Sequence, residues 1–323
     1  MLVQTREVGE GVDGLHARPG RTSDRESLAL HRALGVNRGI YDGLSHFALT
    51  PLAQGDYAYA TELAEVALAL AREMGYGWGI TQMLEFLTMV AVDRGEYSRA
   101  TALAEESLTL SRKLGLKLGM VGALVKLSDV ALRQGDVERV SVLCEEALGL
   151  CRELGEESWS GFALHDLSQA ARLRGDYAQA TALCRQVCTL LPTFDEPFLT
   201  LGWIARDQGD LARAQALYRE GLTRCRADLC VLSTVAEYLE GIAGVAGRRG
   251  QLERAAHLFG AADALRSRIG APIWPANRPF YERDVALVRD AAEDDRFQAA
   301  WQEGRAMTAE EAIEYALNEG AGL

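Results

Sequence analysis

The chain has little proline, no long hydrophobic run, no excess of basic charge and no paired-cysteine motif. Seven prolines among 323 residues, with 48% hydrophobic and 25% charged side chains, exclude a disordered polymer and point to helix-rich, buried structure. No stretch approaches the roughly eighteen consecutive apolar residues of a membrane-spanning helix. Met1 to Gly20 carries Arg6, Glu7, Glu10 and Asp13 where a signal peptide needs an apolar core, so a cytoplasmic location with no membrane attachment is expected. The 34 Lys plus Arg against 46 Asp plus Glu give a net charge of -12, which repels a phosphate backbone, and direct nucleic-acid binding is not expected. The densest basic spots, Arg248-Arg249 and Arg266 to Arg268, are short, interleaved with apolar residues, and read as solvated helix faces. Cys144, Cys151, Cys184, Cys188, Cys225 and Cys230 sit mostly where an amphipathic helix takes a small apolar residue, and read as reduced core thiols. Cys184 and Cys188 are four apart, but no convincing further ligand pair accompanies them, so no metal is expected.

What is there is a repeat. Gln54-Gly55-Asp56-Tyr57 returns as Arg94-Gly95-Glu96-Tyr97, Gln134-Gly135-Asp136-Val137 and Arg174-Gly175-Asp176-Tyr177, each forty residues after the last. Gln208-Gly209-Asp210-Leu211 follows after thirty-four residues and Arg249-Gly250-Gln251-Leu252 after forty-one, making six units. A second mark recurs in phase: Leu34-Gly35, Met74-Gly75, Leu114-Gly115, Leu154-Gly155 and Ile269-Gly270. Each unit therefore holds two helices and two turns. A glycine just past a helix takes the left-handed conformation that closes the last carbonyls. The Asp that follows caps the next helix, with Gln251 the weakest of the series. Ala60, Ala100, Ala180, Ala214 and Ala255 then allow close helix approach, Val140 being the departure. Pro51, inside the first helix of the first unit, predicts a kink or an early end.

The thirty-four-residue unit, Pro197-Phe198-Leu199-Thr200-Leu201-Gly202-Trp203-Ile204-Ala205 with Gly209-Asp210-Leu211, Ala214 and Tyr218-Arg219-Glu220-Gly221-Leu222, resembles the tetratricopeptide repeat. The forty-residue units keep the same columns, with Leu87-Thr88, Leu127-Ser128 and Leu167-Ser168 standing where Leu201-Gly202 does. The resemblance implies an all-α fold: a right-handed superhelical α-solenoid of helix pairs.

At the front, Ser23-Asp24-Arg25-Glu26 has capping-box spacing and opens a helix to about Leu34. The expected organisation is an irregular leader over 1–22, a one-helix partial repeat over 23–38, six repeats over 39–270 and a helical cap over 271–323. The incomplete first unit suggests a longer parent chain. After Gly270 the periodicity stops at Pro272, Trp274, Pro275 and Pro279, which lead into three shorter helices, the last opened by the capping box Thr308-Ala309-Glu310-Glu311. Tyr281, Val285, Val288, Phe297, Trp301 and Met307 are expected to close the open end of the array.

The run from Leu258-Phe259-Gly260-Ala261-Ala262 through Ile269-Gly270-Ala271-Pro272 to Trp301-Gln302-Glu303-Gly304-Arg305-Ala306-Met307-Thr308 resembles the carboxy-terminal repeat region of bacterial signal-transduction ATPases, including LuxR-type transcriptional regulators. The chain contains no G-x-x-x-x-G-K-[ST] loop, so the ATPase chemistry of such proteins does not carry over.

No catalytic constellation is readable. His16, His31, His46, His165 and His257 are scattered, without HExxH or GxSxG patterns, and Glu105-Glu106 and Glu145-Glu146 read as solvated. The chain is expected to be no enzyme and to need no cofactor. The tetratricopeptide geometry implies a concave face lined by the first helix of each unit. Its inward positions would be Asp42, Ser45 and Leu49; Gln82, Glu85 and Met89; Val125, Asp129 and Arg133; His165, Gln169 and Arg172; Trp203 and Arg206; Glu237 and Glu240. A central cluster of His165, Arg172, Trp203 and Arg206 would suit a peptide carboxylate, an acidic partner segment or a sugar stacked on indole. The competing expectation is that Trp203 is wedged between units and the arginines only solubilise the groove. The expected partner is therefore a protein, a peptide or a small-molecule inducer in the groove, with the chain acting as the sensor arm of a regulatory system or as a free-standing adaptor.

Overall fold

A computed structural model describes residues 37–227 and 231–318. The front capping box and its helix lie outside the described residues. The described residues form helices and turns, in the order α1 (Asn37–Phe47), α2 (Leu49–Ala53), α3 (Tyr57–Glu73), α4 (Gly77–Asp93), α5 (Tyr97–Leu114), α6 (Lys117–Gln134), α7 (Val137–Leu154), α8 (Glu157–Leu173), α9 (Tyr177–Leu190), α10 (Glu196–Asp207), α11 (Leu211–Ala227), α12 (Leu232–Arg248), α13 (Leu252–Ile269), α14 (Arg278–Ala291), α15 (Asp294–Arg305) and α16 (Ala309–Leu317). The chain divides within α6, after Leu127, into two compact units. Within each, consecutive helices pack as pairs, giving the all-α solenoid architecture. No helix among the described residues is long and apolar enough to cross a membrane.

The turns form for the reasons their residues dictate. Ten glycines of the two series, from Gly55 to Gly270, have φ between 64° and 84°, a region where a Cβ is strained. In the first turn of the series Asp56 N–H donates to the Pro51 carbonyl, and the same bond recurs as Glu96 to Ala91, Asp136 to Ala131, Asp176 to Ala171 and Asp210 to Ala205. The carboxylates of Asp56, Asp136, Asp176 and Asp210 accept from the amides of Tyr59, Arg139, Gln179 and Arg213 at 3.0–3.1 Å. Each such cap is worth about 1 kcal/mol. Gln251 caps nothing with its side chain, as its chemistry predicts. Pro51 acts where expected: it cannot donate to Phe47, and the helix breaks at Ala48, between α1 and α2.

The small-residue column seals each pair, with Ala60, Ala100, Val140, Ala180, Ala214 and Ala255 all fully buried. Gly202 explains its own place in the repeat pattern, since a Cβ there would stand 2.3 Å from the Tyr218 ring. Where the sixth repeat meets the segment after it, α13 and α15 cross backbone to backbone. A Cβ on Gly304 would fall 2.0 Å from the His257 carbonyl oxygen, and one on Gly260 2.1 Å from that of Trp301. The expected capping box of α16 is present, Thr308 and Glu311 exchanging both bonds.

Two readings of the sequence need correction. Cys225 is disulfide-bonded, whereas Cys144, Cys151, Cys184 and Cys188 are free thiols; Cys230 lies outside the described residues. Arg266 is not on a solvated face. It is buried, its guanidinium bound in bidentate fashion to Glu240 at 2.5 and 3.0 Å, because α13 turns that side toward the residues that follow Gly270.

Candidate functional site

The second unit builds one wall from side chains that sequence spacing places on successive first helices. On α6, Asp129 accepts from Arg133 at 2.9 Å. On α8 come His165, Gln169 and Arg172, on α10 Trp203 and Arg206, and on α12 Glu237 and Glu240. Most of them are buried, which is unusual for so many charged side chains on a repeat face.

Their cover is the segment 271–277 and the start of α14. Trp274 lies 6% exposed, its ring 3.9 Å from the Arg133 guanidinium carbon and edge-on to Trp203 at 5.9 Å. Its indole Nε1–H donates to Glu237 Oε1 at 2.8 Å. Ala276 N–H donates to the Arg133 carbonyl at 3.1 Å. Arg172 stacks over Trp203 at 4.6 Å and donates through Nη2 to the Asn277 side-chain oxygen at 2.5 Å. Asp284 of α14, 2% exposed, accepts a hydrogen bond from Arg248 Nη2 and forms an ion pair with Arg206 Nη1, each at 2.9 Å. Trp203, 7% exposed, thus lies between Arg172 of the preceding repeat and a second indole supplied from seventy-one residues further along. The residues after Gly270 do more than close an open end: part of them lies along the wall as a strap.

Burial sets the electrostatics. Arg172 has its guanidinium pushed down to about 10 by burial, against the pull of Asp207 and with the neighbouring Arg206 acting in the same direction as burial. It meets a carboxamide and ring faces, and its Nε has no hydrogen-bond partner. Arg206 goes the other way: against its desolvation, Tyr218 and the carboxylates of Asp284 and Asp207 together raise it. Burial lifts Glu237 to about 7 against the pull of Arg133 and Arg266. His165 is held down at about 4 by burial, its Nε2 3.4 Å from the Thr200 hydroxyl and its ring edge-on to Phe194. It is a neutral core histidine. Gln169 reaches toward the same ring, leaving its own Oε1 without a partner. Between strap and wall remains a cavity of about 30 Å³ bounded by Arg172, Trp203, Arg206, Glu237, Trp274 and Asn277 among others, room for about two waters.

Gln82 and Glu85 belong to the first unit. Gln82 is exposed and accepts from the Tyr41 hydroxyl at 3.1 Å. The half-buried Glu85 carboxylate lies over Gly122, and burial raises it to about 7 against the opposing pull of Lys126. Glu105, Glu106, Glu145 and Glu146 are exposed. Sequence reasoning missed Trp274, Asn277 and Asp284 as wall partners. One signal was available: Asp284 falls in the apolar stripe Tyr281, Val285, Val288, where a carboxylate implies a buried cation.

No family model matches the chain. Over 115 residues it is 36% identical to proteins provisionally named HTH-type transcriptional regulators from Mycobacterium bovis and Mycobacterium tuberculosis. The match covers 35% of this chain and spans about 12% of the length of those relatives. In structure the chain is similar to a Rap protein complexed with Competence and Sporulation Factor, at a TM-score of 0.53 and 14% identity over 89% of this chain and 92% of that one. That likeness is one of fold. Together these support the resemblance to tetratricopeptide-type regulators.

Proposed function

We propose that the chain is a non-enzymatic binding module, the sensor arm of a transcription-regulating system of the cytoplasm, that recognises a peptide segment of a protein on the wall of its second unit. The observation that carries this reading is the strap: a largely non-helical segment lies on the wall through stacking and directed polar bonds, as a bound peptide would. The sequence likeness to the mycobacterial proteins supports a regulatory setting. The space left beside the strap is about 30 Å³, far below the several hundred Å³ of a small-molecule site, which favours a peptide over an inducer metabolite. The free histidine and thiol chemistry also favours binding over catalysis, since His165 is neutral and Cys144 and Cys184 are buried and raised, Cys184 to about 12.

The test is a thermal-stability screen of the purified chain against peptide and metabolite libraries. A ligand at a hundred times its Kd adds about 2.7 kcal/mol to the apparent stability. Peptides that raise Tm in the parental chain and fail to do so in Arg172→Gln support the reading. Stabilisation by metabolites alone, or peptide binding indifferent to Arg172, would sink it.

A further inference from the structure

The strap satisfies its wall incompletely, and the shortfall has a chemical sign. Arg172 is 3% exposed. A buried guanidinium ordinarily meets a carboxylate, because only a counter-charge offsets its desolvation. Here its hydrogen-bonding partner is the neutral oxygen of Asn277, backed by the Trp203 and Phe280 rings; the Asp207 carboxylate acts on it through space without a hydrogen bond, and Nε is left over. Its neighbours on the same wall fare better: Arg206 holds Asp284, Arg266 holds Glu240, and Arg133 holds Asp129.

The strap is also attached in a way that permits exchange. Its backbone donates one hydrogen bond to the wall, Ala276 to Arg133, and accepts two long ones from Arg266 Nη1, at the carbonyls of Ala271 (3.4 Å) and Pro272 (3.5 Å). Residues 271–277 are not helical, and Pro272, Pro275, Arg278 and Pro279 face solvent. Of the fourteen residues of α14 only Asp284, Val285 and Val288 are buried. What holds it is a short set of side-chain contacts, of the kind a competing segment can reproduce one for one.

We propose that residues 271–284 are an internal competitor, and that the wall takes in their place an acidic peptide segment of another protein bearing an aromatic side chain for the Arg133–Trp203 slot and a carboxylate where the strap presents the Asn277 carboxamide. A carboxylate there would close a charged pair with Arg172 and bring a second oxygen to the guanidinium edge where Nε now lacks a partner. The strap is then a weak surrogate that keeps the wall covered until a better-charged segment arrives, and the affinity of that segment is reduced by the fraction of chains whose strap is closed. This inference rests on the reading of the wall as a binding surface.

The probe is a labelled peptide of the strap's own sequence, residues 271–284, made with Asn or with Asp at the position of Asn277, and read by fluorescence anisotropy. The host is the full chain, parental or carrying Trp274→Ala to loosen the internal strap. The Asp peptide is expected to bind Trp274→Ala at least tenfold tighter than the Asn peptide, and at least tenfold tighter than it binds the parental chain. In Trp274→Ala combined with Arg172→Gln the preference for Asp should vanish. Equal affinities of the two peptides, or no binding to a Trp274→Ala chain that keeps its helical circular dichroism, would overturn the proposal. Should Trp274→Ala fail to fold, Asn277→Asp in the intact chain serves instead. It should slow hydrogen exchange at the Ala276 amide by at least tenfold relative to the parent, and an unchanged or faster rate would overturn it. In the parent that amide should exchange at least a hundredfold faster than the amides of α12; equal rates would mean the strap opens only on unfolding of the unit, and the proposal fails. A peptide that raises Tm in the thermal screen without changing Ala276 exchange would defeat the strap inference and leave the proposed function standing. Binding of the strap peptides with no stabilising ligand in the screen would do the reverse.

Discussion

The polar inner positions of the two units have the same origin in the repeat and opposite fates. In the first unit Gln82 is open to solvent and Glu85 and Met89 are half-covered. In the second, Arg172, Trp203, Arg206 and Glu237, all met by the strap or α14, are each less than a tenth exposed. Helix pairing does not account for the difference, since both units carry the same glycine turns and alanine column. A non-repeating segment accounts for it. Burying charge on a repeat face therefore depends on whatever lies over that face, and the second unit supplies its own cover.

The largest expected effect comes from cutting that cover at its anchor. Asp284→Ala leaves Arg206 buried without its carboxylate from α14, a loss of roughly 3–5 kcal/mol. Hydrogen exchange should register it in the amides of α10 and α12 and leave those of α4 unchanged; an equal loss in both units would erase the distinction drawn between them. Gly304→Ala comes next. Its Cβ would meet the His257 carbonyl, which is backbone and cannot swing aside, so urea denaturation should show a loss of about 1–3 kcal/mol.

The third test asks whether two glutamates in differently covered walls titrate alike. Glu85 and Glu237 are both raised from 4.5 to about 7, burial being the first cause of each. A carboxyl that holds its proton more tightly when folded favours the folded state fully below about pH 4.5, and that advantage declines as pH rises through 7. Tm should fall across this window. Glu237→Gln or Glu85→Gln should each flatten part of the slope, by an amount on the order of 3 kcal/mol between the ends. His165, lowered from 6.5 to about 4, works oppositely, its contribution being lost as pH falls through that range. If only Glu85→Gln changes the profile, the strap is supplying Glu237 with more than a hydrogen bond from Trp274. The smallest effect serves as a control on the repeat itself. Gly149 lies within α7, and a Cβ added there would meet nothing within 4 Å, so Gly149→Ala should raise stability by about 0.5–1 kcal/mol.

The helix pairs were legible because their determinants are local. A glycine that must take positive φ, an aspartate three residues before the amide it caps and a proline four residues after a needed carbonyl all act within one turn of chain. The wall residues were legible from the same columns, which is why Arg172, Trp203 and Arg206 could be named together. The strap was not. Asn277 meets Arg172 across 105 positions of sequence, and nothing in 271–279 repeats, so no period points to its place. Arg266 misled for a related reason: in sequence it is one more basic residue on a helix, and only the fold brings Glu240 to it.

Because Trp274 must reach Arg133 on α6 while Asp284 reaches Arg206 on α10 and Arg248 at the end of α12, the strap has a fixed span. The self-contained glycine turns would tolerate a duplicated forty-residue block almost anywhere. A block inserted between α8 and α10 would carry Arg133 out of the reach of Trp274 and leave Arg172 without Asn277. The segment after the repeats thus acts as a gauge of how many repeats lie between α6 and α12, and the length of this unit should vary among descendants only when the strap varies with it.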